Sequence, residues 1–496
     1  MTTSAQVKFD LLIAGKNTPS QGGNYFDAIN PSTGEVIGQI ADATSEDVRQ
    51  AVAAARKSFD EGWAKVSLNE RGRQLVQVAG LIREHAKELA ELECLNTGKT
   101  LKQTTFIDIP TAADTFEYFG NNHDALTGEM VHHTLPALCI TEREPMGVVV
   151  AIIPWNYPLI MAAWKIAPAL LCGNSVILKP SKLAALSLLR LGQLIAEAGL
   201  FAGSLSIIAS SNSKIGSELA GHPDVDMISF SGGNATGQEI MRLAAQTTKK
   251  VVLELGGKSP NIVFADCDQD AALGGTLSAI FMNQGQMCTA GSRLLLEDKI
   301  YDEFVGRLVE RAKTLKIGNA INFETEFGPI ISRDHRDKIL ASIEQGKKEG
   351  ATLLCGGKIP AVAEANGFFI EPTIFGQVKN SMTIAQEEIF GPVLSVIRFS
   401  QETEAIAIAN DSKYGLAAMI WTKDLAKANR VARQLRCGTV WINTYGSFPN
   451  EAPFGGYKQS GFGRELGREG LLEYTQTKHV CTDQTPGGKP LVSAWF

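Results

Sequence analysis

Between residues 147 and 255 the chain repeats one pattern five times: a short apolar run, then a helix-like segment. The runs are GVVVAII (147–153), SVILK (175–179), LSII (205–208), MISF (227–230) and VVLEL (251–255). Such alternation predicts a parallel sheet covered by helices. In an open sheet of that kind a ligand sits beyond the carboxyl ends of the strands. Here each run ends in polar or glycine-rich sequence: Pro154-Trp155-Asn156, Pro180-Ser181, Ser210-Ser211, Ser231-Gly232-Gly233 and Gly256-Gly257-Lys258. A dinucleotide site fits at those ends.

A second alternation runs from Lys258 to about residue 470, through LLLED, a helix near 301–316, FFIEPTI, LSVIRF and TVWINT, and predicts a second α/β unit. Ahead of both lie a turn at Asn30–Gly34 and a helix start at Thr44–Asp47. A longer helix follows on Leu75, Val78, Ala79, Ile82, Ala86 and Leu89, with Gly98 placed to stop it. Two strand-like stretches, CITERE (139–144) and KHVCTD (478–483), belong to neither series and are expected to pair with each other or with another subunit. At 496 residues the chain should hold two to four domains. Its net charge of −6 offers no basic patch for nucleic acid, which leaves small-molecule chemistry. No apolar stretch has the length of a membrane span, and no signal segment opens the chain. The eight cysteines are scattered singly without metal-ligand spacing, so no metal is expected and the cytoplasm is the expected compartment.

One cysteine stands apart. Cys288 lies in Asn283-Gln-Gly-Gln-Met-Cys-Thr-Ala-Gly-Ser-Arg293, a polar, glycine-containing setting whose free backbone N–H groups suit a thiolate and a developing oxyanion. Glu254 is a lone carboxylate in an apolar strand, and is either paired with Lys258 or a base with a raised pKa. The Asn156 side-chain amide either donates to an oxyanion or, the commoner use at such a place, caps the following helix. Ser231-Gly-Gly-Asn-Ala-Thr-Gly237 reads as an anion-binding turn before a helix. Lys179 and Lys182 flank a strand end, either reaching a ribose or phosphate or simply solvated.

Together ELGGKSP (254–260), NQGQMCTAGSR (283–293), PWNYP (154–158), EEIFGPV (387–393) and PFGGYKQSGFGRELG (453–467) resemble the NAD(P)-dependent aldehyde dehydrogenase superfamily, nearly end to end. The resemblance extends to its betaine-aldehyde and aminoaldehyde branch. It implies an α/β subunit with a Rossmann-type coenzyme domain (1–125 and 146–257), an α/β catalytic domain (258–473) and a small β oligomerisation element (126–145 with 474–496). It implies that Cys288 is the nucleophile, Glu254 the general base, and Asn156 an oxyanion donor beside the Cys288 N–H. An aldehyde would become a thiohemiacetal, then a thioester by hydride loss, then an acid by hydrolysis. Lys165 would lie near the active centre and Glu465 on a proton path. The NAD or NADP site would use Trp155, Lys179, Lys182, Ser231, Gly232, Gly233, Gly237, Glu254, Leu255, Glu388 and Phe390.

Two departures stand out. Lys182 occupies the position of a ribose-binding glutamate in many NAD-using members, which opens NADP use. Gly233 replaces a serine of the glycine turn, which removes one phosphate contact. Tyr157, Met161, Trp164, Met282, Phe448 and Phe454 match the family's substrate tunnel. Its aromatic faces suit a cationic aldehyde by cation–π attraction, with Asp108 and Glu451 as charged helpers, and suit an aromatic or medium aliphatic aldehyde equally. Competing readings are a non-catalytic protein on the same fold, a cofactor-free thiol hydrolase, and a coenzyme A-acylating enzyme, which the presence of Glu254 disfavours. A homodimer or homotetramer is expected, with Trp495 and Phe496 packing on a partner.

Overall fold

The five apolar runs fold as the parallel strands Val148–Ile152, Ser175–Lys179, Leu205–Ile207, Met227–Ser231 and Lys250–Glu254. The first strand in sequence is central, with the second and third on one side and the fourth and fifth on the other. Strand order therefore reverses between Val148–Ile152 and Met227–Ser231. A crevice opens there between the loops that follow them, Pro154–Asn156 and Gly232–Gly233. Leu11–Ile13 and Lys16–Thr18 extend one edge antiparallel, and Gly461–Phe462 pairs antiparallel with Lys250–Glu254 at the other. This computed structural model describes residues 7–122, 126–361 and 366–487; Trp495 and Phe496 lie outside them.

The second alternation forms a seven-stranded sheet in the order Thr352–Cys355, Thr373–Gly376, Val393–Phe399, Arg293–Glu297, Pro260–Val263, Ala417–Trp421 and Thr439–Ile442. All its pairings are parallel except that of the first two. The helix Pro158–Leu171 is buried on nearly every side, which is why it reads as almost continuously apolar. It descends from the crevice, carrying Ile160, Met161 and Trp164 to the site and Lys165 into the interior beside it.

The helix start at Thr44 is a full capping box: the Thr44 hydroxyl accepts from the Asp47 N–H, and the Asp47 carboxylate accepts from the Thr44 N–H. The long helix expected to end at Gly98 is instead two, Leu68–Glu84 and Ala86–Thr97, broken at His85. The first half packs on Ile109–Asn121 and the second on Leu186–Glu197, so the bend aims two apolar faces at different neighbours. Gly98 does end the second, at φ 78°. CITERE and KHVCTD pair with each other: Ala137–Pro145 runs antiparallel to Thr475–Asp483, with Glu129–Val131 on its other side.

Candidate active site

A cavity of about 460 Å³ opens at the switch point, walled by the ends of the first sheet on one side and by loops of the second unit on the other. It brings together Asn156, Glu254 and Cys288 with Trp155, Ser231, Gly232, Gly233, Leu255, Glu388 and Phe390, and with Tyr157, Met161, Trp164, Met282, Phe448 and Phe454. Five of the predicted catalytic and cofactor residues do not line it: Lys165, Glu465, Lys179, Lys182 and Gly237.

The loop carrying Cys288 is held in a strained form. Asn283, Gln284 and Gly285 have φ of 47°, 55° and 71°, the left-handed region that costs a non-glycine residue on the order of 1–3 kcal/mol. Side-chain amides lock it: Asn283 Nδ2 donates to the carbonyls of Asn156 (3.2 Å) and Gln286 (3.1 Å), and Gln286 Oε1 accepts from the Ile331 N–H (3.0 Å). Asn156 joins this brace, its Nδ2 donating to Gln286 O at 3.0 Å. The following helix takes no side-chain cap, so Asn156 does not cap it. Burial first, then the Glu388 and Glu254 carboxylates, push the Cys288 thiol up to about 12, against the opposite pull of the Thr289 and Cys288 N–H groups. The donors expected from the loop are present but outweighed, so a neighbouring base must take the proton.

Glu254 ends its strand 7% exposed, and neither carboxylate oxygen has a hydrogen-bond partner. The alternative of a Glu254–Lys258 pair is not formed, because the Lys258 ammonium is itself buried without a partner and lowered to about 7 by desolvation. Burial, then the charge of Glu465, raises the Glu254 carboxyl well above the ordinary range. Behind it Lys165 is ion-paired to Glu465 and donates to Ser229 Oγ (3.0 Å), which also accepts from the Tyr474 hydroxyl (3.1 Å). The two glycines after Glu254 exist for close approach: a Cβ at Gly256 would run into the Glu388 carboxylate, and one at Gly257 into the Cys288 carbonyl. Glu388 accepts from the Gly257 N–H at 3.0 Å and is raised to about 7 by burial.

On the first sheet's side, Ser231 Oγ is buried without a partner, and the Gly233 N-cap leaves the helix Asn234–Ala244 without a side-chain cap. These are groups a pyrophosphate satisfies. Gly237 is spent on packing, since a Cβ there would clash with Leu255. Trp155 meets Phe390 and His335 edge-on at 5.3 and 5.5 Å, and His335 Nε2–H donates to Phe390 O at 2.7 Å. That bond and burial, which lowers the His335 pKa, occupy the one histidine among the described cavity residues. Lys179, mostly buried, donates to Pro180 O (3.2 Å), its pKa lowered by desolvation and then by the charge of Lys182. Lys182 is exposed, with its charge acting on Asp42.

The far wall is aromatic. Trp164, Phe448 and Phe454 touch pairwise with ring centroids 5.4–6.0 Å apart, and Trp441 backs Phe448 at 5.2 Å. The expected charged helpers are elsewhere. Asp108 is fully buried and ion-paired to Lys99, whose ammonium covers one Tyr157 face at 3.7 Å, while Glu451 is exposed outside the cavity. Sequence reasoning missed Met287, Thr289 and Tyr445, whose hydroxyl donates to Met287 Sδ at 3.4 Å. Tyr445 follows the strand Thr439–Ile442, so the strand-end rule applied to the second sheet would have found it.

The sequence profile of the aldehyde dehydrogenase family matches residues 18–480. The betaine aldehyde dehydrogenase of Bacillus subtilis (strain 168) is 49% identical over 471 residues, covering 94% of this chain and 95% of that protein. That of Vibrio vulnificus (strain CMCP6) is 44% identical, covering 95% and 97%. A crystal structure of betaine aldehyde dehydrogenase from Staphylococcus aureus in complex with NAD+ superposes with a TM-score of 0.95 at 43% identity, over 99% of this chain and 97% of that one. Among the described residues no helix is long and apolar enough to cross a membrane. With this α/β architecture and this cavity, the chain belongs to the aldehyde dehydrogenase family and is an NAD(P)-dependent oxidoreductase of aldehydes.

Proposed function

We propose that the substrate is an aldehyde bearing a quaternary or protonated amino group, of the betaine-aldehyde type, oxidised to its acid. The carrying observation is the cavity wall: Tyr157, Trp164, Tyr445, Phe448 and Phe454 line it with Glu254 and Glu388, and among the described residues no Lys or Arg lines it. Electron-rich ring faces attract a cation; the Lys99 ammonium already covers one face of Tyr157, which leaves Trp164, Tyr445, Phe448 and Phe454 to receive the substrate's charge. The names of the Bacillus and Vibrio relatives support the same reading.

In this mechanism Glu254 takes the Cys288 proton, and the thiolate adds to the aldehyde carbon. The resulting alkoxide is held by the Asn156 amide and the Cys288 N–H. A nicotinamide held beside Cys288 would supply the hydride acceptor, and Cys288 would then carry the substrate as a thioester. Glu254 then removes a proton from water, which attacks the thioester and releases the acid and the thiol. The pair Lys165–Glu465, beside Glu254, gives its proton a route inward. Glu388 and Phe390 would hold the nicotinamide riboside, Trp155, Ser231 and Gly232–Gly233 the pyrophosphate, and Lys179 the adenosine ribose, with NADP accepted through Lys182.

We assign the coenzyme role to 1–125 with 146–257, the catalytic role to 258–473, and subunit assembly into a dimer or tetramer to 126–145 with 474–496. Met130, Val131 and Leu135 are exposed on the last element, as an assembly surface requires. Free thiols throughout the described chain fit the cytoplasm. Initial rates with NAD and NADP across betaine aldehyde, 4-aminobutanal, benzaldehyde and hexanal test the reading, with Cys288→Ala as control. At least a tenfold advantage in kcat/KM for the cationic aldehydes is expected. Equal or better turnover of benzaldehyde or hexanal overturns the substrate assignment.

A further inference from the structure

The pairing of Ala137–Pro145 with Thr475–Asp483 sets Cys139 directly opposite Cys481, their Sγ atoms 3.2 Å apart. His479 is two residues from Cys481 and so projects from the same face of the sheet. The two sulfurs and a ligating nitrogen of His479 all lie within 4.8 Å of one another. None of the three lines the active-site cavity. Sequence spacing concealed this cluster, because the ligands are brought together only by a strand pairing between distant parts of the chain.

We propose that Cys139, His479 and Cys481 bind a thiophilic divalent cation, zinc by the chemistry of the donor set. Two thiolates and an imidazole are the donors zinc takes in protein sites. With Zn–S of about 2.3 Å and Zn–N of about 2.0–2.1 Å, the edges of a tetrahedral site measure roughly 3.4–3.8 Å. Here the two sulfurs are 3.2 Å apart and all three ligand atoms lie within 4.8 Å of one another, close to those edges. Binding sends the two thiol protons to solvent, and water completes the coordination. A simple disulfide would make no use of His479, whereas the metal uses all three groups. The ion fastens the C-terminal strand to the hairpin beside it. That strand begins just after Tyr474, which anchors the buried Lys165–Glu465 network through Ser229.

The test is titration of the full-length reduced protein with Co2+ and then Zn2+, in a Cys288→Ala background so that the nucleophilic thiol takes no part. One equivalent per subunit is expected. Thiolate-to-cobalt charge-transfer bands should appear and be bleached by zinc. His479→Ala, at an exposed position, should weaken binding at least tenfold, and Cys481→Ser should abolish the charge-transfer bands. In the otherwise native enzyme, Cys481→Ser should leave turnover unchanged. Substoichiometric binding, binding indifferent to both substitutions, or a Cys139–Cys481 disulfide found by peptide mapping of protein purified under thiol reductant would each overturn the assignment.

Discussion

Replacing Glu254 with glutamine removes the base but keeps the shape of a side chain that packs 7% exposed at its strand end. If Glu254 activates the hydrolytic water, hydride transfer still loads one thioester per Cys288 and turnover then stalls. General base catalysis is worth about 10²–10⁴ in rate, or roughly 2.7–5.4 kcal/mol in the barrier at 1.36 kcal/mol per decade. Rapid mixing followed at the reduced-nicotinamide absorbance should therefore show a burst of one equivalent per subunit and a steady state slower by that factor. The burst itself should also slow, because the Cys288 thiol, raised to about 12, loses the group that takes its proton. Hydroxylamine, which attacks thioesters without a base, should restore turnover. In the parent enzyme the deacylation rate should rise with pH, since burial and Glu465 hold the Glu254 carboxyl protonated well above its ordinary range. Glu254→Gln should lose that alkaline limb. The same raised pKa has a thermodynamic side. The native state resists ionising Glu254 while the unfolded chain does not, so the parent loses stability as pH rises from the unfolded carboxyl pKa toward the native one. Glu254→Gln should therefore melt higher than the parent at pH 8 and alike near pH 4. A steady state within threefold of the parent, or an unchanged pH limb, would refute the reasoning.

Asn156→Ala should lower kcat by about 10²–10³ with little change in KM, as removal of one oxyanion donor does; stopped-flow hydride transfer measures it. Gly256→Ala should displace the Glu388 carboxylate and raise the dissociation constant for the dinucleotide, read by fluorescence titration, while the fold persists by circular dichroism. Lys258→Met should stabilise the protein, because desolvation lowers the native ammonium to about 7. The parent's deficit should grow as pH falls from the unfolded lysine pKa of about 10.4 and level off below 7, reaching no more than roughly 4–5 kcal/mol; denaturant midpoints at pH 10 and pH 7 check the sign.

The parts legible in the sequence were those written in local patterns. Five apolar runs match five parallel strands to within two residues at each end, and the capping box at Thr44 stands as the Thr44–Asp47 pattern implied. The cavity residues were readable because strand-end loops must converge at a switch point. What stayed hidden was set by tertiary partners. No proline or glycine marks the break at His85, which comes from packing on two different helices. Lys99 and Asp108 are nine residues apart, yet nothing in their spacing says that they pair in the interior and cover a face of Tyr157. Cys139 and Cys481 meet only through the pairing of two strands from opposite parts of the chain.

Glu254, Ser231 and Asn156 in the cavity wall, and Glu465 behind Glu254, all carry buried polar atoms without a protein partner. Each such atom costs about 1–3 kcal/mol, and more when charged. The cost is bearable only because packing elsewhere is dense: every residue of Val148–Ile152 and Met227–Ser231 is buried. A folded chain optimised for stability alone would replace these groups with less costly ones, as Glu254→Gln does in part. Their retention in one cluster follows from chemistry. A base must be desolvated to be strong, and a phosphate cradle must have hydroxyl and N–H groups to spare. Stability gained at these positions should therefore come with lost turnover, while equal gains at exposed positions such as Leu425 should leave turnover unchanged.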